Sequence, residues 1–228
     1  MGKSTNYSNS LLKHIFQNLA IAGYGDTGGL LPSASAGSLY VSLHTGDPGA
    51  GDDQTVNEAD YGDYARVTVV RSSSGWTVVS NTVTNAADVS FPKATSGSNV
   101  VTHFGIGTDS SGAGHLPYSF PICSAYFDLT ATASGDLITA PGHTFAVDDQ
   151  IVFIPAPGAT VPAGITVGTI YYVKAVSGNN LTISTSQGRA TLDITADGAC
   201  LAGKVSPLTV ITNVLPVFLA GTLLITEM

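Results

Sequence analysis

Histidines and carboxylates are the residues of this chain that could carry out chemistry. His44 and Asp47 lie in LHTGDP, and His103 lies in VTHFGI. A serine hydrolase would place such a histidine beside its nucleophile, yet the sequence has no GxSxG turn. Zinc-binding HxH or HExxH spacing is also missing. We therefore predict no catalytic residue, no cofactor and no zinc site, and we expect His44 and His103 to be hydrogen-bonded strand residues that could be neighbours across one sheet.

Six carboxylates gather in the glycine-containing loop that follows His44. They are Asp47, Asp52, Asp53, Glu58, Asp60 and Asp63. Ca²⁺ takes about six to eight oxygen ligands, but the ligand order of an EF-hand loop is absent. Two interpretations stay open: a weak calcium site formed by Asp47, Asp52, Asp53, Glu58 and Asp60, and a solvated hairpin loop. Arg66 follows the loop and could pair with one of its acids, which would pin the loop for contact between subunits.

Three aromatic residues near these acids, Tyr61, Tyr64 and Trp76, offer a second kind of site. If they were exposed, they would form a platform for sugar rings, and a host surface glycan would then be a partner. If they were buried, they would anchor the core or a strand end, as tryptophan commonly does. Nothing in their spacing decides between the two.

Cys123 and Cys200 are the only cysteines of the chain. This count excludes a disulfide scaffold and a cysteine-rich zinc site. They flank a stretch that we interpret below as an inserted domain, and such a domain leaves and returns at nearby points. We therefore expect a close pair, as a disulfide or as two reduced thiols. Synthesis in the cytosol favours the thiols, and Cα atoms more than about 7 Å apart would rule out a bridge.

One amphipathic helix is predicted over about residues 7–22. Its apolar residues recur at intervals of three and four; they are Leu11, Leu12, Ile15, Phe16, Leu19 and Ala20. Ser8 or Asn9 could cap its start and Gly23 could end it. The apolar stripe must be buried, either on the protein's own sheet or in a neighbouring subunit.

The rest of the chain is predicted to be β-structure. In SLYVSLHT, Leu39, Val41 and Leu43 alternate with Tyr40, Ser42 and His44, which indicates a strand with one buried face. Further short strand patterns follow, separated by Gly, Asn, Asp and Pro. The predicted fold class is mainly β: a sandwich or barrel with one N-terminal helix and a small inserted barrel-like domain.

The inserted domain is predicted at residues 127–199, inside a discontinuous base domain of residues 1–126 and 200–228. Its candidate strands are Asp136–Thr139, Gln150–Ile154, Thr169–Val176, Asn180–Ser184 and Thr191–Thr195. The final segment, PLTVITNVLPVFLAGTLLITEM, is apolar and needs a core. We assign it to the last strands of the base domain.

Composition excludes several classes of partner. Charged residues are 11% of the chain, where about a quarter is usual, and the net charge is −8. The basic residues are scattered, so neither nucleic acid nor an anionic membrane is an expected partner. No secretion signal or membrane-spanning segment is recognisable, and we expect synthesis in a bacterial host cytoplasm.

The chain resembles a family of small virion proteins of tailed phages. The similar segments are SLYVSLHTGDPGAG, NEADYGDYARVTV, NAADVSFPKAT, VTHFGIGTDSSGAG and the closing AGTLLIT. They follow a family pattern of an N-terminal helix, LYxxLHTxDPG, a YxR strand, an FP turn, a VTHxxI strand and a two-stranded C terminus. The resemblance covers residues 1–120 and 204–228. The insert departs from this pattern and resembles a second recurring β module of phage virion proteins.

The resemblance implies a non-enzymatic structural protein of the virion. Members of the family are usually labelled tail fibre or minor structural proteins. We expect capsid decoration or cementing, with the base domain bound to the particle and the insert projecting. The alternative is a tail fibre or tail-tip component that binds the host surface. Expected partners are the major capsid protein or tail proteins, and further copies of this chain in a homo-oligomer.

Overall fold

The computed structural model describes residues 4–24, 28–156 and 158–227. It is mainly β, with one helix in the described part of the chain, so the predicted fold class is confirmed. The chain divides into two compact units, called unit 1 (Met1–Ile122 with Pro207–Met228) and unit 2 (Cys123–Ser206). Unit 2 contains the predicted insert, 127–199, and extends beyond it at both ends. Within the described ranges, no helix has the length and apolar character needed to cross a membrane.

Helix α1 covers Thr5–Gln17, a shorter span than predicted. Ser4 caps its start by accepting a hydrogen bond from the Tyr7 amide at 3.2 Å. It ends at Asn18, which adopts the left-handed conformation with φ 55°. The predicted caps at Ser8, Asn9 and Gly23 are therefore wrong, because an asparagine ends the helix five residues earlier than the glycine.

The strands of unit 1 are β1 (Ser38–His44), β2 (Val67–Val70), β3 (Trp76–Val79), β4 (Thr82–Asn85), β5 (Val89–Ser90), β6 (Ser98–Val101), β7 (His103–Gly107), β8 (Tyr118–Pro121), β15 (Leu208–Ile211), β16 (Val217–Phe218) and β17 (Leu224–Thr226). They form a four-stranded antiparallel sheet of order β2-β1-β7-β8 and three smaller groups, β15-β6, β16-β5 and β17-β4-β3. Each of the last three strands pairs with a strand of the first chain segment of unit 1, Met1–Ile122. The C-terminal segment therefore belongs to unit 1.

The core of unit 1 joins the helix to the sheets. Leu12 and Phe16 of α1 are fully buried, and the Phe16 ring meets the Trp76 ring edge-on at 4.9 Å. The helix thus docks on its own unit, which was one of the two predicted alternatives. Leu39, Val41 and Leu43 form the predicted buried face of β1.

Unit 2 is a closed six-stranded antiparallel barrel of order β10-β13-β12-β11-β14-β9. Its strands are β9 (Cys123–Thr132), β10 (Leu137–Thr139), β11 (Gln150–Ile154), β12 (Ile170–Ser177), β13 (Asn180–Ser184) and β14 (Gly198–Val205). Apolar side chains such as Phe153, Val173 and Ile183 fill its interior. The longest pairing joins β9 to β14, so the first and last strands of unit 2 close the barrel.

Candidate functional site

The two histidines of the sequence motifs lie side by side in the sheet of unit 1. His44 of β1 is directly opposite His103 of β7, which confirms the prediction of neighbouring strands. His44 Nδ1 lies 2.8 Å from the Val56 carbonyl oxygen, and His44 Nε2 lies 2.8 Å from the Ser42 hydroxyl. Since a carbonyl only accepts, Nδ1 carries the proton, and in the neutral ring Nε2 accepts from Ser42.

The Ser42–His44 pair has the distance of a nucleophile and its base, but both side chains are fully buried. Burial lowers the pKa of His44, mainly because the charged ring would be desolvated. No substrate can reach a serine enclosed in this way. Alternation predicted Ser42 and His44 on a polar outer face. That face is instead covered by the acidic loop, whose Val56 supplies the carbonyl that holds the ring.

Arg66 and Glu58 form the centre of a polar network beneath the acidic loop. Arg66 Nε donates to Glu58 Oε1 at 2.7 Å and Nη2 donates to Oε2 at 2.8 Å, a two-pronged contact. Their side chains are only 3% and 16% exposed. The Tyr64 hydroxyl also donates to Glu58, at 2.9 Å, and accepts from the Leu43 amide of β1. The prediction that Arg66 pairs with an acid of the loop is confirmed.

The same arginine reaches a second loop, between β7 and β8. Arg66 Nη1 donates to the Asp109 carbonyl at 2.9 Å, and Nη2 donates to the Gly112 carbonyl at 2.7 Å. One cation, placed directly before β2, therefore ties the acidic loop to the β7–β8 loop. Because the groups are largely out of water, this contact is stronger than a surface ion pair.

Gln54 of the acidic loop also connects that loop to the β7–β8 loop. It is fully buried; its backbone N–H donates to the Ala113 carbonyl at 2.8 Å, and its side-chain oxygen accepts from the Asp109 backbone N–H at 3.0 Å. A Cβ atom at Gly107 or Gly114 would overlap the Gln54 side chain. These two glycines therefore make the space that Gln54 occupies.

The acidic side chains of the loop accept hydrogen bonds from separate donors of the protein. Asp52 accepts from the Leu116 amide and His115, Asp53 from Thr55, Asp47 from the Gly49 amide, and Asp60 from Asn99. In residues 4–24, 28–156 and 158–227, no three His, Cys, Asp or Glu side chains are grouped so that they could hold a metal ion. The calcium interpretation of Asp47, Asp52, Asp53, Glu58 and Asp60 is therefore wrong, because the carboxylates point to separate partners.

The proposed aromatic platform is also wrong. Trp76 is fully buried and Tyr61 is 2% exposed. Tyr64 is half-buried against the same core, with its ring 5.3 Å from that of Tyr61 and nearly parallel to that of Phe91 at 6.3 Å. Because Trp76 and Tyr61 are enclosed in the core, the three rings form no exposed platform for a sugar.

The two cysteines do not form a close pair. Neither is in a disulfide, and in the β9–β14 ladder Cys123 faces Val205 whereas Cys200 faces Leu129. Five residues of β14 separate Cys200 from Val205, which is about 16 Å along a strand. The interpretation was wrong because the chain returns from unit 2 at Ser206, well beyond Cys200.

Sequence reasoning missed Gln54 and the hydroxyl of Tyr64. Gln54 is an uncharged residue among acids, and no spacing rule marks it. The available signal was the pair Gly107 and Gly114 in a segment otherwise suited to a strand and a turn, since interior glycines often mark a close approach of another group.

Comparison with known proteins gives a match to a family model. A family model described as Podophage GP4 fiber I protein gp80 matches residues 2–126. A search of curated proteins found no match. The matched range contains α1, β1 to β8 and the whole Arg66 network.

Proposed function

Because the chain belongs to the Podophage GP4 fiber I protein gp80 family, we propose that this bacteriophage virion structural protein is a fibre-type component of the particle surface that attaches through unit 1. The observation that carries the proposal is the extent of the match. It ends at residue 126, four residues into unit 2. What the chain shares with a fibre family is thus the first segment of unit 1, residues 2–122. This shared segment is the natural candidate for the shared task of attachment.

The hydrogen bonding of unit 1 supports its independence from unit 2. The Ile122 amide donates to the Thr102 carbonyl at 2.9 Å, where the chain leaves unit 1. Where the chain returns, Leu208 pairs with Val101. Exit and return are therefore fastened to consecutive residues of unit 1, and a short connection could replace unit 2.

The rigid surface loops of unit 1 are suited to recognition by shape. The Arg66 network holds the acidic loop and the β7–β8 loop. Fixed loops bind a partner at a lower entropic cost than mobile ones. We assign no enzymatic role, since Ser42 and His44, the one serine–histidine contact of the motifs, are enclosed. Other virion proteins are the proposed partners, with further copies of the chain.

Incorporation into particles tests the proposal. Residues 123–206 are replaced by a short Gly-Ser turn that joins Ile122 to Pro207, and tagged chains are supplied to an infected host. We expect the shortened chain to purify with particles as the full chain does. Unit 2 alone should stay behind. A shortened chain that is folded, by its near-ultraviolet circular dichroism, but absent from particles would overturn attachment through unit 1.

Capsid decoration is the second candidate. It is favoured by the shape of the elements: the described residues contain one helix of 13 residues and no long shaft-forming element. Copy number separates the two roles, because symmetry gives a decorating protein on the order of hundreds of sites and a tail fibre about a dozen or fewer. Quantitative mass spectrometry against the major capsid protein would measure it.

A further inference from the structure

A groove of about 580 Å³ opens in unit 1 next to the loops that the network fixes. It lies between the end of α1, the first residues of β1, Asp52 of the acidic loop and the segment around His115. Its volume is within the range of small-ligand sites, about 300–1,000 Å³. All of its lining residues fall within the family match.

Hydrogen bonds fix two opposite walls of the groove. On one side, Arg71 donates to the Ile15 carbonyl at 2.6 Å and to the His14 carbonyl at 2.8 Å, which holds the end of α1. On the other side, Asp52 accepts from His115 Nδ1 at 2.6 Å and from the amide of the next residue at 2.7 Å. The groove is thus formed before any ligand arrives, which lowers the cost of binding.

The groove is less acidic than the chain as a whole. The whole sequence has 16 acids against 8 lysines and arginines and 5 histidines. The groove is lined by His14, Arg71 and His115 and by one acid, Asp52, while a second carboxylate, that of Asp109, accepts from the hydroxyl of the lining residue Thr108. Asp52 contacts His115, whereas Arg71 and His14 bond to backbone carbonyls, which carry no full negative charge. A ligand with an anionic group therefore fits this part of the surface better than its surroundings.

The remaining lining residues point to a polyhydroxylated ligand. Ser38 and Thr108 provide hydroxyl groups, and Leu39 and Pro117 provide apolar surface. Sugar rings present the same two features, hydroxyls at their rim and C–H groups on their faces. We propose that the groove binds a short anionic saccharide, with a carboxylate or phosphate substituent. The proposal rests on the proposed fibre-type role at the particle surface and adds a saccharide to the partners of unit 1.

Saturation-transfer difference NMR on the full-length chain tests the site with defined probes. Trigalacturonate supplies the carboxylate, and its fully methyl-esterified form is the neutral control with the same rings. Glucose 6-phosphate and glucose form the phosphate arm. We expect transfer to at least one anionic probe and at least about threefold weaker binding of its neutral counterpart. No transfer to either anionic probe, or equal transfer to the neutral ones, would overturn the proposal.

Two variants locate the binding. Ser38→Trp fills the groove, and Ser98→Trp is its control, since both serines are the first residue of a strand with an antiparallel partner. His115→Gln removes a charge from a side chain that is 73% exposed, so folding is not at risk; Lys93→Gln is the control. We expect S38W to abolish binding and H115Q to weaken it about two- to fivefold. Equal effects of variants and controls would contradict the site.

Particle incorporation of S38W separates this proposal from the one on which it rests. A chain that loses saccharide binding but still purifies with particles supports both. If the unsubstituted chain binds saccharide but the folded shortened chain without residues 123–206 never enters particles, the groove stands and attachment through unit 1 is overturned.

Discussion

Removing the Arg66 cation should destabilise unit 1 more than any surface change. Arg66→Met keeps an aliphatic stem of similar length but removes four hydrogen bonds, two to Glu58 and one each to the Asp109 and Gly112 carbonyls. Glu58 then stays largely buried and keeps the hydrogen bond from the Tyr64 hydroxyl. Breaking a buried pair from one side costs about 3–5 kcal/mol. Because Glu58 keeps 16% of its surface in water, we expect about 3 kcal/mol.

The chain carries its own reporter for this measurement. Its single tryptophan, Trp76, lies in the core of unit 1, so tryptophan fluorescence during urea unfolding follows unit 1 within the full chain. With a slope of about 1–3 kcal/mol per M urea, the midpoint should fall by about 1–3 M. Arg189→Met, an exposed arginine of unit 2, is the matched control and should leave the tryptophan transition in place.

A second substitution tests whether the cost comes from the unpaired charge of the Glu58 carboxylate. Glu58→Gln in the Arg66→Met background removes the carboxylate that has lost its partner. If the cost comes from that charge, the double variant should regain about 1 kcal/mol or more relative to Arg66→Met alone. A midpoint for Arg66→Met within experimental error of Arg189→Met would refute the reasoning, because it would mean that the loops hold their places without the network.

Three further outcomes follow from the same structure. Gly107→Ala should cost about 1–3 kcal/mol in the tryptophan-detected transition, because its Cβ would overlap buried Gln54; Gly51→Ala, with open space around it, should be near neutral. Stability of unit 1 should decline as the pH falls below 6.5, the ordinary pKa of histidine, because burial lowers the pKa of His44 and His103 and unfolding then takes up protons. His44→Asn can still donate a hydrogen bond to Val56 and should flatten that decline. The exposed His115 has the opposite effect on stability, because Asp52 raises the pKa of His115. An unchanged pH profile in His44→Asn would exclude His44 as the source of the decline. Burial raises the pKa of Cys123 and of Cys200 to about 12 each, so iodoacetamide at pH 8 should label neither thiol in the native chain and both in urea; rapid native labelling at either position would contradict the burial.

Local patterns predicted much of the fold. The alternation in SLYVSLHT predicted β1 and its core face, and the three-four spacing of Leu12 and Phe16 predicted the buried face of α1. The bounds of β11 and β13 agree with the prediction residue by residue. Each of these elements is decided by side chains within a few residues, where periodicity carries the information.

What the sequence did not predict depends on groups that lie far apart in the chain. Residues 191–195 have the pattern of a strand, but the Ile194 amide donates to the Asp136 carboxylate at 2.8 Å instead of to a ladder. Ser42 is polar on an outer face by alternation, yet a loop that begins after β1 folds back over it. Cys200 lay near the predicted end of the insert, while the true end depends on how long β9 and β14 run together.

The pairing of Cys123 with Val205 also bears on how the gene for this chain could exchange the segment between them by recombination. Two residues that face each other across an antiparallel ladder have Cα atoms about 4.5–5.5 Å apart, so any domain whose ends meet at that spacing could be spliced in at the same codons. Recombination at this point would exchange one module for another and leave every hydrogen bond of unit 1 as it was. Such exchange would let phages vary unit 2 while keeping unit 1, the part through which we propose that the chain attaches to the particle.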